Sequence, residues 1–508
     1  MYDVIIVGAG SAGCAIAARV SEDPNLRVAL LEAGPDYPDL ALPDDLINSH
    51  NNSYSAHDWG FRYEPTSGRS DRFPRGKVVG GSSAVNTTIA LRGMPEDYDE
   101  WAALGNDGWG WSDVLPAFRR LERDLDFPDA PYHGDSGPIS IRRYPHDELL
   151  PQHQAFLATA EDLGYPSCAD ANEPYGEGAG PHPMNKLGRL RVSGAVGYLA
   201  AARVRPNLDI LPKRLVSRVI VTGGRCTGVE ILTEDGGIQV LSGRLVILSA
   251  GALMTPCILW RSGIGASEDL DSLGVDAVRV LPGVGRNLSD HPALSVLCEV
   301  KDPGLIDFDA PIIQTILRYT APGSDKRNDL QIEQISFAGR PGGAPMFLIA
   351  PVLEYQYGRG RLSLDSPDPR AAPRVENRFC EDTRDLDRLA GCVMDTLAFT
   401  RTGALADMIE GVRFPDPARG TDLEDIKGLC RKFAGSGYHP CGTARMGPQE
   451  DPMAVVDPRG RCHGVEQLVV ADAAIMPFVP RANTNLTCFM IGEKIGEWVR
   501  TEPHNYGL

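Results

Sequence analysis

The apolar positions fall first into short runs bounded by glycine. Tyr2–Val7 is rich in β-branched residues and almost unbroken by polar ones, the pattern of a parallel strand buried on both faces. It runs into G-A-G-S-A-G, an apolar helix from Ala12 to about Val20, and a second strand, Arg27–Leu31, that ends at Glu32. Leu245–Ser249 and Leu468–Ala471 repeat the same kind of run and predict two more buried strands. Between 300 and 380 the pattern changes. The runs IIQTILRYT, DLQIEQISF and MFLIAPVLEY alternate with the turn clusters GRPGGAP and DSPDPRAAP, which predicts an antiparallel sheet. A helix follows, with Leu386, Leu389, Ala390, Val393 and Leu397 on one face and the acidic pair Glu381-Asp382 at its start. A last long helix is expected from about Asn485 to Val499, with Asn485 as its cap. There is no internal repeat and no low-complexity tract. The class is α/β, with a second, α+β part built on the antiparallel sheet.

The first 35 residues carry more than a fold signal. In the turn after the first strand, Gly8 permits the tight bend, Gly10 lets backbone approach a pyrophosphate, and Gly13 lets helix pack on strand. The free N–H groups of the helix start favour phosphate. Glu32 follows about twenty residues later, where an acid binds ribose hydroxyls. Strand, glycines, helix, strand and acid in that order predict a bound dinucleotide, without separating NAD from FAD.

Composition narrows the partners. The chain has 508 residues, enough for two domains, with 42% hydrophobic and 23% charged residues and a net charge of −18. Such acidity argues against nucleic acid and anionic membrane, which need a basic face. No apolar stretch is long enough for a membrane span, and MYDVIIVGAG lacks the basic start of a signal peptide, so a cytoplasmic location is the default. Eleven cysteines without a CxxC fit reduced, buried thiols. His439–Cys441 and Cys462–His463 lack zinc-type spacing, so no metal is expected.

Further stretches choose the cofactor. GKVVGGSSAVNTTIALRGMPEDYD at 76–99, ILSAGALMTPCILWRSGIG at 247–265 and GVGRNLSDHP at 283–292 occur in order with EAGP at 32–35, VVADAAIMP at 469–477 and NTNLTCFMIGEK at 483–494. Together they resemble the glucose–methanol–choline (GMC) family of FAD-dependent oxidoreductases, from Tyr2 to about Val499. The Gly80-Gly81-Ser82-Ser83 turn has little bulk and can lie against a flat ring. The resemblance implies that Asn86 and Thr87–Ile89 (Thr87, Thr88, Ile89) lie beside the isoalloxazine and that Asp472 contacts the ribityl or phosphate region. It also implies cofactor contacts from Ser11, Ala12, Ala33, Trp59 and Val79. Val216, Ala250, Gly251, Tyr438, Ala473, Thr484 and Thr487 complete the implied set. Trp59 reads equally well as a core tryptophan. Some members attach FAD through a histidine just before the asparagine; here that position is Val85, so non-covalent FAD is expected. Family architecture implies an FAD domain from 1–155, 195–297 and 438–508, a substrate domain at 298–437, and 156–194 near the site.

A flavin changes how YHPCGTARMG at 438–447 is read. An alcohol gives up hydride readily only as its hydroxyl proton leaves, so the site needs a base, and neutral histidine suits. It also needs a group to hold the developing alkoxide. His439 matches the family's base and Asn483, the first asparagine of NTNLT, its partner. The expected reaction is oxidation of CH–OH, with a primary alcohol as substrate and hydride passing to flavin N5. O2 or another acceptor then reoxidises the flavin. The substrate region shows no aromatic run that would cage a quaternary ammonium group. The alternatives are a hydroxynitrile lyase of the same family using FAD structurally, or a non-catalytic flavin-binding protein. GDSGP at 134–138 and SDH at 289–291 echo hydrolase motifs, but three adjacent residues cannot form a triad and no GxSxG occurs. The Pro- and Asp-rich segment 35–56 reads either as a loop over the site's entrance or as plain surface.

Overall fold

The computed structural model describes residues 1–38, 41–233 and 235–508. Five parallel strands form its first sheet, in the order Leu208–Leu211, Val28–Leu31, Tyr2–Val7, Ile238–Leu248 and Leu468–Val470. Tyr2–Val7 takes the centre because apolar side chains on both its faces, Val4, Ile5 and Ile6 among them, are fully buried. Val7 aligns with Leu31 and Leu248, and Leu248 with Val470. The strands therefore finish in one row, and Gly8, Glu32, Ser249 and Ala471 follow along a single carboxyl edge. Ile238–Leu248 is longer than its apolar run predicts. Its first half pairs antiparallel with Arg225–Leu232, which pairs with Leu215–Thr222.

Ser11–Val20 packs against the C-terminal helix, Thr484–Thr501. The contact depends on Gly492, where a Cβ would lie 2.5 Å from the Ala12 carbonyl oxygen. The first and last helices of the chain are thus neighbours.

The second sheet is antiparallel, in the order Ile409–Phe414, Val296–Val300, Met346–Leu353, Leu330–Ala338, Ile313–Tyr319 and Gly178–Pro181. Its three expected strands form the middle. Helix Thr383–Phe399 covers one face, capped by the Asp382 carboxylate, which accepts from Arg384 N. All five residues of its expected apolar stripe are buried. The opposite face turns Gln331, Glu333, Ile335, Leu348, Ala350, Val352 and Glu354 into a cavity. The first sheet is drawn from 2–31, 208–248 and 468–470, so it is discontinuous in sequence. The expected hand-over at 297/298 falls inside Val296–Val300, and 156–194 supplies the edge strand Gly178–Pro181.

All eleven cysteines are free thiols, buried except for the half-buried Cys488. Among the described residues no helix is long and apolar enough to cross a membrane.

Segment 35–56, of which Asp39 and Leu40 lie outside the described residues, is tied down at several points, and one side chain gathers four of its carbonyls. The Arg191 guanidinium donates to the carbonyls of Asp45 (3.0 Å), Leu46 (2.9 Å), Asn48 (2.9 Å) and Asn51. It also reaches the carbonyls of Ala84 (2.9 Å) and Asn86 (3.0 Å), next to the Gly80-Gly81 turn. Burial lowers the Arg191 pKa to about 10, yet the carbonyls satisfy its donors. Arg191→Met is expected to cost about 3–5 kcal/mol, because it strands six carbonyls. Chemical denaturation measures the loss, and limited proteolysis should move first to residues 43–53.

Candidate active site

The glycines shape the carboxyl edge as their spacing requires. Gly8 has φ +102°, and a Cβ there would sit 2.4 Å from the Ser249 carbonyl oxygen. A Cβ on Gly13 would lie 1.9 Å from the Gly8 carbonyl oxygen, so Gly13 is spent on helix–strand packing. Gly10 differs: nothing lies within 4 Å of its Cβ position, which leaves its backbone open. Gly81 closes on it, with its Cβ position 2.6 Å from Gly10 Cα. The two glycine turns therefore meet at one wall of a cavity of about 810 Å³.

The cavity runs from the carboxyl edge of the first sheet to the open face of the second. Gly8, Gly10, Ser11, Ala12, Glu32, Ala33, Trp59, Gly81, Ser82, Asn86, Thr87 and Ile89 line it. Val216, Ala250, Gly251, Tyr438, His439, Asp472, Ala473, Asn483 and Thr484 do so as well. Gly13, Val79, Thr88 and Thr487 stand behind this lining. Val79 is buried, with its N–H on the Pro35 carbonyl, and Thr487 Oγ1 is 3.1 Å from the Tyr98 hydroxyl. Thr88 is buried with φ +62°, unusual for a β-branched residue, and gives its carbonyl to Asn185 N. Asn52 and Tyr54 bring segment 35–56 into the cavity wall.

Two carboxylates mark the ends of the first sheet's strands. Glu32 accepts from Ala9 N (3.0 Å) and Gly34 N (2.8 Å), and burial raises its pKa to about 7 despite these donors. Asp472 accepts from Gly251 N (2.8 Å), Thr255 Oγ1 (2.6 Å) and Ala474 N (2.7 Å), and burial raises its pKa too. Open backbone at Gly10 and a cavity-facing acid at each strand end suit a dinucleotide with hydroxyls to bind.

His439 lies across the cavity. Asn483 Nδ2 donates to its Nε2 over 3.0 Å. An amide NH2 offers no lone pair, so Nε2 is the acceptor nitrogen and the ring proton sits on Nδ1. Nδ1 then donates to His291 Nδ1, 2.9 Å away. Burial, and after it the nearby His291 and Arg75, hold His439 well below the usual imidazole pKa. Its neutral form is therefore the favoured one at pH 7.

The backbone that aims His439 is itself constrained. Tyr438 has φ +67°, and its carbonyl accepts from Arg75 Nη2 (2.7 Å). Asp290 Oδ1 accepts from both His439 N and His291 N, each at 2.8 Å. Its Oδ2 takes Ser436 Oγ (2.5 Å) and Asn377 Nδ2 (3.1 Å). Asp290 and His291 thus belong to the site by holding the backbone and ring of His439, which the SDH triad pattern does not suggest. The signal was GVGRNLSDHP itself.

Asn485 is not the cap of the last helix. The helix begins at Thr484, so Asn485 lies in its first turn, and its Oδ1 accepts from Ser11 Oγ (2.8 Å). Asn483 occupies the cap position, but its side chain serves His439.

Glu122, Asp124 and His133 form the one metal-like cluster among the described residues. Its charges are already matched: Arg92 pairs with Glu122, Arg143 with Asp124 (2.9 Å) and Asp170 (2.5 Å), and His133 Nε2 with Asp170 (2.8 Å).

Fold and site together define a two-sheet α/β protein whose cavity is lined by the glycine turns of the first sheet and the open face of the second. GMC oxidoreductase N-terminal and C-terminal domains match residues 2–293 and 356–492, and the chain belongs to the GMC oxidoreductase family, whose members bind FAD. It is 36% identical to a 5-(hydroxymethyl)furfural oxidase of Methylovorus sp. (strain MP688), over 99% of both chains. It is 34% identical to a mitochondrial choline dehydrogenase of Mus musculus, over 99% of this chain and 90% of the other. The crystal structure of pyridoxine 4-oxidase from Mesorbium loti superposes with a TM-score of 0.91 at 28% identity, covering 98% of each chain.

Proposed function

We propose that this enzyme oxidises a primary alcohol to its aldehyde, with His439 as base and Asn483 as holder of the substrate oxygen. The observation that carries the reading is the neutral acceptor Nε2 beside an amide donor at 3.0 Å, in the same cavity as the glycine cradle. FAD, when bound, supplies the hydride acceptor at its N5. Gly10, Gly81, Glu32 and Asp472 would hold it. Val85 lines the cavity at the position before Asn86 and offers no nucleophile, which supports non-covalent attachment there.

The substrate hydroxyl presents its proton to His439 Nε2, and its oxygen accepts from the Asn483 amide. As the proton leaves, charge builds on that oxygen, and the amide N–H stabilises it. His291 accepts from the imidazole's Nδ1 and so favours the tautomer that leaves Nε2 free of a proton, while Asp290 holds the backbone N–H of both histidines. The furfural and pyridoxine relatives are named for alcohols, which favours this class. The second sheet's wall is mainly aliphatic, with Ile313, Ile335, Leu348, Ala350 and Val352, and the cavity's aromatic residues, such as Tyr54, Trp59 and Tyr438, come from other segments.

The test is visible absorbance of the purified holoprotein mixed anaerobically with a panel of primary alcohols, then opened to air. Bleaching by an alcohol is the expected result. Fast recovery in air identifies an oxidase and slow recovery a dehydrogenase. A flavin spectrum that no primary alcohol changes would overturn the proposal in favour of a lyase.

A further inference from the structure

The mainly aliphatic wall is interrupted by polar side chains, among them a carboxylate that the chemistry at His439 does not use. Glu354 follows the strand Met346–Leu353, is 1% exposed, and lines the cavity. Both of its carboxylate oxygens lack a hydrogen-bond partner. The nearby cations direct most of their donors elsewhere, with Nε of Arg318 left without a partner. Arg318 gives Nη1 to the Ala171 carbonyl and Nη2 to the Arg481 carbonyl, each at 2.8 Å. Arg481 pairs with Asp97 through Nε at 2.7 Å. His291 Nε2 stands 3.7 Å from Glu354 Oε2, too far for a hydrogen bond, and is itself without a partner.

A second carboxylate shares the wall. Glu333 lies on the neighbouring strand, directly opposite Ala350, and also lines the cavity. Its Oε1 accepts from Gln331 Nε2 over 2.7 Å. Buried acids are normally matched by donors or cations, as the cluster around His133 is, and leaving one bare costs the full desolvation of the group. Burial drives the Glu354 pKa up to about 8, with Arg318 opposing and Glu333 adding to the rise.

We propose that Glu354, with Glu333 beside it, is a recognition subsite for a second, hydrogen-bond-donating group of the substrate, so that the natural alcohol carries an O–H or N–H function beyond the carbon being oxidised. The inference rests on the alcohol oxidation proposed above and names the class of alcohol. A donor from the substrate would complete the unpartnered carboxyl and place the reacting CH–OH at His439. A methyl end would leave it bare. A quaternary ammonium end has no N–H to give.

The test compares kcat/KM of the holoenzyme over primary alcohols of matched, graded length ending in hydroxyl, ammonium, methyl or trimethylammonium groups. The hydroxyl- or ammonium-ended members are expected to exceed the other two by about 10- to 100-fold. Which of the two leads tells a neutral donor from a cationic one. In Glu354→Leu the ratio of donor-ended to methyl-ended kcat/KM should fall to near one, whereas a general folding defect scales all four substrates alike and leaves the ratio intact. Glu333→Gln, at a less buried position, should lower the same ratio by a smaller factor if Glu354→Leu does not accumulate. Equal wild-type kcat/KM across the four ends, or an unchanged ratio in Glu354→Leu, overturns the subsite. Should no alcohol bleach the flavin, calorimetric binding of the same four ligands decides the subsite separately: a preference for the donor ends that Glu354→Leu abolishes supports it, and equal binding removes it.

Discussion

His439→Ala is expected to slow reduction of the cofactor by an alcohol by about 10²–10⁴-fold, the usual contribution of a positioned base. The variant should still bind FAD, because the glycine turns, Glu32 and Asp472 belong to other segments. Anaerobic stopped-flow absorbance measures both properties. The wild type adds a sign that the variant cannot mimic. His439 is held well below the usual imidazole pKa of about 6.5. Neutral imidazole therefore persists on the acid side of that value, and alcohol-driven reduction should hold its rate as pH falls through it. A loss of rate centred at 6.5 or above would contradict the enclosed, neutral base described here.

The second large effect separates two glycines of one motif. Gly10→Val should leave the fold intact and weaken FAD binding by at least about 100-fold, since the new side chain points into free space where the pyrophosphate would approach. Gly10 has φ −79°, so valine meets no backbone obstacle. Gly13→Ala should do the opposite to the fold: its Cβ would fall 1.9 Å from the Gly8 carbonyl oxygen, and the helix must leave the strand to make room. Thermal denaturation of both apoproteins, with FAD titrated into the survivor, distinguishes them. Equal loss of stability in the two variants would show that the open space at Gly10 is not a ligand's.

The parts legible in the sequence were those that local pattern controls. Tyr2–Val7, the helix after it and the stripe from Leu386 to Leu397 announce themselves by period and composition, and the structure forms each within a residue or so of the expected bounds. His439 and Asn483 were named through motif resemblance, and the fold brings their side chains together across 44 residues of chain. What the pattern could not carry was long-range partnership. Arg191 sits in a stretch without helical or strand period, and only the fold gathers six carbonyls around it. Glu354 reads in sequence as the polar end of a strand; its isolation depends on Arg318 and Arg481 facing other groups. Either Asn483 or Asn485 can start a helix by sequence, and in the fold Ser11 holds the Asn485 side chain and His439 that of Asn483.

The pairing of the first helix with the last has a consequence for biosynthesis. Residues 2–31 lay down the centre of the cradle early, but Asp472, the outer strand Leu468–Val470 and the helix that packs on Ser11–Val20 all emerge at the end. His439 emerges late as well. During translation the glycine turn is therefore made long before the wall that residues 468–501 supply, and the cavity is complete only once they have joined it. A chain cut short before residue 468 would lack that wall and leave the face of Ser11–Val20 that packs on Thr484–Thr501 uncovered.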